Sequence, residues 1–155
     1  YTGLRIGVAA VKAMTFALNL PCFGISTLES LAYQATTADG LCSAVMKARQ
    51  NLVYAGLYEN QNGKLQSVVK DGLYDMTEWK TILLQQTAPV LMTGDAAAQF
   101  IGETIMLAPA AVRLQNGTGL CLAAKHHAPQ MPEQLEANYL QLVKAEKDRQ
   151  QRVSI

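Results

Sequence analysis

The stretch TGLRIGVAAVKAMTFALNL, residues 2–20, constrains the fold more than any other part of the chain. At helical spacing it carries one apolar stripe of Leu4, Val8, Val11 and Leu18 and a second of Ile6, Ala9, Ala13, Phe16 and Leu20. A third stripe is small: Gly3, Gly7, Ala10 and Ala17. A helix that is apolar around most of its circumference has to be covered on more than one side. Arg5 and Lys12 share the one wet edge that this pattern leaves. Two readings follow, a central core helix and a helix shared between its own domain and a partner, and the small stripe would let another helix approach closely. Arg5 and Lys12 interrupt the apolar run and Pro21 ends it, which makes it too short for a bilayer span. With no start methionine and no upstream N-cap, the chain is expected to be a fragment whose natural beginning is missing.

The rest of the composition narrows the partners. The 155 residues are half apolar, and 13 basic residues against 12 acidic ones leave a net charge of +1 with no basic run of the kind that grips nucleic acid independently. Cys22, Cys42 and Cys121 are isolated in apolar stretches and form no C-x-x-C pair. That argues against a zinc site or a disulfide framework and predicts three buried thiols in a reduced, cytoplasmic protein.

Along the chain, residues 21–25 read as a short buried strand. Ser26-Thr27-Leu28-Glu29 has the form of a capping box that opens a helix to about residue 38, where Asp39-Gly40 stops it. Alternating segments at 41–49, 52–60 and 64–73, joined at Gln50-Asn51 and Asn62-Gly63, predict an antiparallel meander. Asp75 to Glu78 repeats the cap for a helix to about residue 86. A strand at 89–93, the turn Gly94-Asp95, a short helix at 96–100 and a strand at 105–108 follow. Pro109 then opens a helical stretch to His127, weakened at Asn116-Gly117 and Gly119, with a loop at 128–132 and a charged tail at 144–152 beyond it. A meander combined with strand–helix alternation is α/β architecture.

Few residues suggest chemistry. His126 and His127 point about 100° apart on a helix and cannot share a metal as residues four apart can. Gly94-Asp95, after a strand and before a helix, offers amides to a phosphate, but without a following lysine or a second glycine-rich loop a helix N-cap is the simpler reading. Lys47 and Arg49, one residue apart on a strand, share a sheet face next to a turn and are candidates to meet an anion. Asp71, Asp75 and Glu78 cluster in sequence, but capping accounts for two of the three. No spacing selects a Ser/His/Asp set, and the catalytic list is empty.

Thr2-Gly3-Leu4-Arg5-Ile6-Gly7-Val8, the Lys12 helix, and Pro21 through Gly24-Ile25-Ser26-Thr27-Leu28-Glu29 resemble the signature of the TsaB (YeaZ) family within the actin-like ATPase superfamily. Met46-Lys47-Ala48-Arg49 with Val53-Tyr54, Thr93-Gly94-Asp95, and Ala137-Asn138-Tyr139-Leu140 followed by Ala145-Glu146 continue the similarity in order along nearly the whole chain. In that family a Gly-Pro-Gly-Ser sequence precedes this opening stretch. Two departures stand out. Relatives place Asp where this chain has Lys47, and a cation there cannot ligate magnesium. Their late motif, Pro-x-Tyr-Leu-Arg, has Ala137 and Gln141 here.

The resemblance implies an actin-like (ribonuclease H-like) lobe with a mixed sheet flanked by helices, plus the remnant of a first lobe: residues 1–38 would end the N-terminal lobe and 39–155 would form the C-terminal one. It implies a non-catalytic scaffold or activator in the formation of threonylcarbamoyladenosine in tRNA, supporting a TsaD-like transferase together with a TsaE-like ATPase. ATP and metal would then belong to partner subunits, and tRNA would be met only through the complex. The first helix would be the interface, with a partner or a second copy, through Gly3, Leu4, Gly7, Val8, Ala10, Val11 and Met14. The other reading is an autonomous ATPase or small-molecule kinase of the same superfamily, truncated here.

Overall fold

The computed structural model describes residues 2–140; Gln141 and the charged tail lie outside them. Helix α1 (Thr2–Ala17) comes first, and Asn19, at φ 52°, turns the chain out of it. The strand expected over 21–25 reduces to one antiparallel bridge, in which Cys22 and Gln130 exchange backbone hydrogen bonds of 2.9 and 2.8 Å. Pro21 has no N–H with which to extend the ladder.

Helix α2 (Thr27–Ala35) starts as expected, with Ser26 extended and its hydroxyl accepting the Glu29 N–H at 3.5 Å. Only half of the capping box forms, because the Glu29 side chain turns to His127 instead of back to the cap. The helix stops at Ala35, short of residue 38, where the N–H and the hydroxyl of Thr36 both donate to the Ala32 carbonyl and take up its bonding capacity.

The meander is as the alternation requires. Strands β1 (Gly40–Lys47), β2 (Leu52–Gln61) and β3 (Lys64–Asp75) pair antiparallel in sequence order. Asn62 and Gly63, both at positive φ, make the tight turn that matches strand twist. Asp75 caps helix α3 (Met76–Leu84) by accepting the Thr77 N–H at 2.8 Å. Strand β4 (Val90–Thr93) then crosses over to lie parallel to β1, and β5 (Ile105–Leu107) lies parallel to β4, after a 3-10 turn at Ala97–Phe100. The mixed sheet has the order β3-β2-β1-β4-β5.

The helical stretch expected from Pro109 to His127 is two pieces, α4 (Ala110–Arg113) and α5 (Gly117–Ala124). Leu114 is extended, and Asn116 accepts the Thr118 N–H at 2.8 Å as a fresh N-cap, so the sequence that weakens the helix divides it. Gly119 lets α5 close on α2: a Cβ there would lie 2.2 Å from the Ser30 carbonyl oxygen.

Alternation along β1 builds a core on each face of the sheet. Cys42 and Ala44 pack with Leu28, Leu31, Tyr58 and Ala123 under α2 and α5. Val45 packs on the other face with Leu57, Trp79, Met92 and Phe100. Full burial of each large apolar side chain contributes on the order of 2 kcal/mol. Cys22 and Cys42 are buried as expected, but Cys121 is exposed, on the outer side of a helix that shows the sheet only one stripe. Burial pushes the Cys42 thiol up to about 11.

Candidate functional site

The surface of α1 departs from its sequence reading. None of its residues is buried, and Val8, Lys12 and Thr15 are its half-buried positions, spaced to form one narrow face. That face meets the 3-10 turn Pro132–Gln134 and the segment after it. Arg5 Nε donates to the Tyr139 hydroxyl at 3.0 Å with its guanidinium 5.7 Å from the ring centroid, and Lys12 Nζ donates to the Glu133 carbonyl at 3.3 Å. The supposed wet edge is therefore the side turned toward the rest of the described chain. Apart from Val8, the apolar stripes face outward instead, with Leu4 at 49%, Ile6 at 65%, Met14 at 58% and Phe16 at 71% exposure. Of the residues expected at an interface, Gly3, Leu4, Gly7, Ala10, Val11 and Met14 are exposed and Val8 is half-buried. A Cβ at Gly3 or Gly7 would touch nothing within 4 Å.

A second candidate region lies where the parallel strands β1 and β4 end side by side. Gly94, at φ 104°, passes so close to β1 that a Cβ would lie 1.9 Å from the Val45 carbonyl oxygen. The next residue uses its side chain in place of a strand: Asp95 Oδ1 accepts the Lys47 N–H at 2.8 Å. Asp95 is thus not the helix cap that its position suggested, and the 3-10 turn after Ala96 has no side-chain cap. Lys47 is the last residue of β1, while Arg49 sits in the bend beyond it, so strand alternation does not put the two on one face. Both are exposed.

A third group was not visible in the sequence. Asp71, on β3, accepts hydrogen bonds from the Tyr58 hydroxyl of β2 and from Ser26 Oγ at the start of α2. Gly56 makes this possible, since a Cβ there would lie 2.3 Å from Asp71 Oδ1; a glycine inside a strand is the one signal that could have announced a close approach. Burial, reinforced by the Asp71 charge, holds the Tyr58 phenol far above its ordinary value. Beside it, His127 Nε2 lies 2.8 and 3.0 Å from the two Glu29 carboxylate oxygens. His126 turns away to stack on Tyr33, centroids 5.3 Å apart and planes at 6°. Glu29, Tyr58, Leu65, Ser67, Lys70 and Asp71 line a shallow cavity of about 220 Å³. The carboxylates of Glu29 and Asp71 are each engaged by side chains of the chain itself, and Ser26 donates to a carboxylate without a histidine on it. Such a cluster ties α2 to the meander. Among the described residues no group of three or more His, Cys, Asp and Glu is placed to hold a metal ion, and no helix is long and apolar enough to cross a membrane.

An antiparallel meander extended by two parallel strands, with helices on both faces, is an α/β architecture consistent with the actin-like lobe expected, here preceded by a helix that shows apolar sides to the outside. The family model described as "TsaD: tRNA N6-adenosine threonylcarbamoyltransferase" matches residues 1–146. The chain belongs to that family. It is similar to the tRNA threonylcarbamoyladenosine biosynthesis protein TsaB of Bacillus subtilis (strain 168), with 40% identity over 94 residues, 61% of this chain and 41% of that protein. The chain thus spans about two fifths of this curated relative. Its fold matches a crystal structure of an uncharacterized Pseudomonas aeruginosa protein with similarity to peptidase YeaZ, at a TM-score of 0.70 and 22% identity, covering 91% of this chain and 68% of that one. It also matches YeaZ from Pseudomonas aeruginosa, at a TM-score of 0.65 and 22% identity, covering 90% and 69%.

Proposed function

We propose that this protein is a non-catalytic scaffold or activator in tRNA threonylcarbamoyladenosine biosynthesis, and that α1 is the surface through which it holds a TsaD-like transferase. The observation that carries the reading is α1 itself, a sixteen-residue helix with no buried residue and outward-facing Leu4, Ile6, Met14 and Phe16. Gly3 and Gly7 support it. Glycine inside a helix costs about 1 kcal/mol relative to alanine, and neither position needs glycine for its own neighbours, so the benefit lies with a helix from outside that packs closely. Leu4, Ala10, Val11 and Met14 would line the seam, and Val8 would support it from the half-buried side. A second copy of the chain is an alternative occupant of the same face.

Catalysis, ATP and metal belong in this scheme to the partners, a TsaE-like ATPase among them, and tRNA is reached through the assembly in the cytoplasm. The near-neutral charge supports that division. Lys47 and Arg49 remain a minor candidate anion contact, through side chains alone, since the Lys47 N–H is already taken.

The test is a pull-down of the TsaD-like partner, with a sizing run for self-association, comparing the native chain with Gly7→Glu and Ala10→Glu. A charge buried without a partner costs several kcal/mol and should separate the assemblies. Circular dichroism and melting should stay near native, because α1 lends no buried residue to the sheet cores. Intact assemblies with both variants folded would overturn the assignment of this face.

A further inference from the structure

We infer that the C-terminal segment from Gln130 to Tyr139 is a strap that sets the orientation of α1, which makes Arg5, Lys12, Glu133 and Tyr139 positioning residues for assembly. This rests on the reading of α1 as the assembly surface. Helix α1 leaves no side chain in either core, so its direction has to be set by polar contacts and by the chain that follows it. Those contacts converge on one segment. Arg5 and Lys12, just under two helical turns apart, bond to Tyr139 and to the Glu133 carbonyl, which fixes the rotation of the helix about its axis. The Arg5 guanidinium over the Tyr139 ring adds a contact that survives loss of the hydroxyl.

The connector after α1 is clamped by the same segment. Cys22 is bridged to Gln130 through two backbone hydrogen bonds. Gly24 runs so close that a Cβ would lie 2.8 Å from Gln130 Nε2 and 3.3 Å from Leu135 Cδ1. Leu135 and Pro132 are themselves buried, and Leu140 just beyond packs against the core under α2 and α5, so the strap is anchored to the lobe at its end while its polar groups reach α1. A helix held at both ends by one anchored segment presents its outward stripes at a defined angle, and pre-set geometry lowers the ordering cost of association.

The experiment is a titration of the TsaD-like partner with the native chain, Tyr139→Ala, Tyr139→Phe, Arg5→Met and, as a control inside the face itself, Ala10→Glu. Labels on Ala13 and Lys64 report the spread of distances between α1 and the sheet by pulsed electron resonance. Tyr139→Ala and Arg5→Met should each raise Kd about tenfold and broaden that distribution, while Tyr139→Phe, which keeps the ring under the guanidinium, should raise it about twofold. Arg5→Met leaves the strap's own sequence intact and decides the matter if Tyr139→Ala melts early. Native affinity and a native distance distribution in both Tyr139→Ala and Arg5→Met, with Ala10→Glu still unable to bind, would overturn the strap and leave the assembly surface standing. Native affinity in Ala10→Glu as well would instead overturn the reading of the surface.

Discussion

Trp79 Nε1 donates to Ser43 Oγ at 3.1 Å, between two residues with no exposed surface, and so joins α3 to the central strand inside the core. Ser43→Ala leaves the indole N–H of the chain's single tryptophan buried without an acceptor, which should cost about 1–3 kcal/mol in urea denaturation. Trp79→Phe in the same background removes the orphan, so the double variant should lose less than the sum of the two single losses. Additive losses would show that the bond contributes nothing of its own.

Gly94→Ala should be among the most damaging changes available to the lobe. It forces a side chain into φ 104° and toward a carbonyl oxygen 1.9 Å away, and a loss of about 3 kcal/mol or more is expected. The measurement is the denaturation midpoint, or the soluble yield where the variant does not fold. A near-native midpoint would mean that β4 can move away from β1 at little cost.

Stability should decline in alkali. Burial holds the folded-state pKa of Tyr58 above the ordinary tyrosine value of 10.0, so the folded state retains a proton that the unfolded chain releases once pH passes that value. The contribution is complete below the unfolded pKa and is lost as pH rises above it, by about 1.4 kcal/mol per pH unit while the proton difference lasts. Cys42, raised to about 11 by burial, acts with the same sign. Tyr58→Phe should lower stability at neutral pH, since Asp71 loses a donor, yet flatten the alkaline decline by about one proton. Urea midpoints between about pH 8 and about pH 11 check this, and an unchanged slope in the variant would assign the decline elsewhere.

The chain by itself should show no tight binding of magnesium-ATP in calorimetry. Asp95 already fills the backbone position at the end of β1, and the cation at Lys47 opposes a metal. A stoichiometric isotherm in the low micromolar range would contradict this. Gel shifts with tRNA at physiological salt should likewise show no submicromolar complex.

The parts of the fold that the sequence announces are those decided by near neighbours. Asn62-Gly63 makes its hairpin, Ser26 and Asp75 cap their helices, and the alternation of β1 to β3 comes out as an antiparallel meander. What the sequence leaves unread depends on distant partners. The capacity of Glu29 to complete a capping box is spent on His127, 98 positions away. Asp71 finds Tyr58 and Ser26 only because a bulge and Gly56 bring it over the sheet. Asp95 has a cap's spacing but a strand end within reach. In α1 the pattern correctly shows apolar residues all round, yet inverts inside and outside, since periodicity states which sides are greasy and not what lies against them.

The placement of β1 also has a consequence in time. Leu41 pairs with Glu59 through a nearby hairpin on one side and with Val90, about fifty positions on, across the other. Loop-closure entropy and the speed of hairpin formation favour the meander first and the parallel addition of β4 later. While the chain emerges from a ribosome, the β4-facing edge of Gly40–Lys47 therefore stands open until residue 90 has cleared the tunnel. An unpaired edge through the middle of the future sheet is the kind of surface that attracts other strands. The nascent lobe is most vulnerable to aggregation in that interval, and nascent-chain chaperones would have most to protect there.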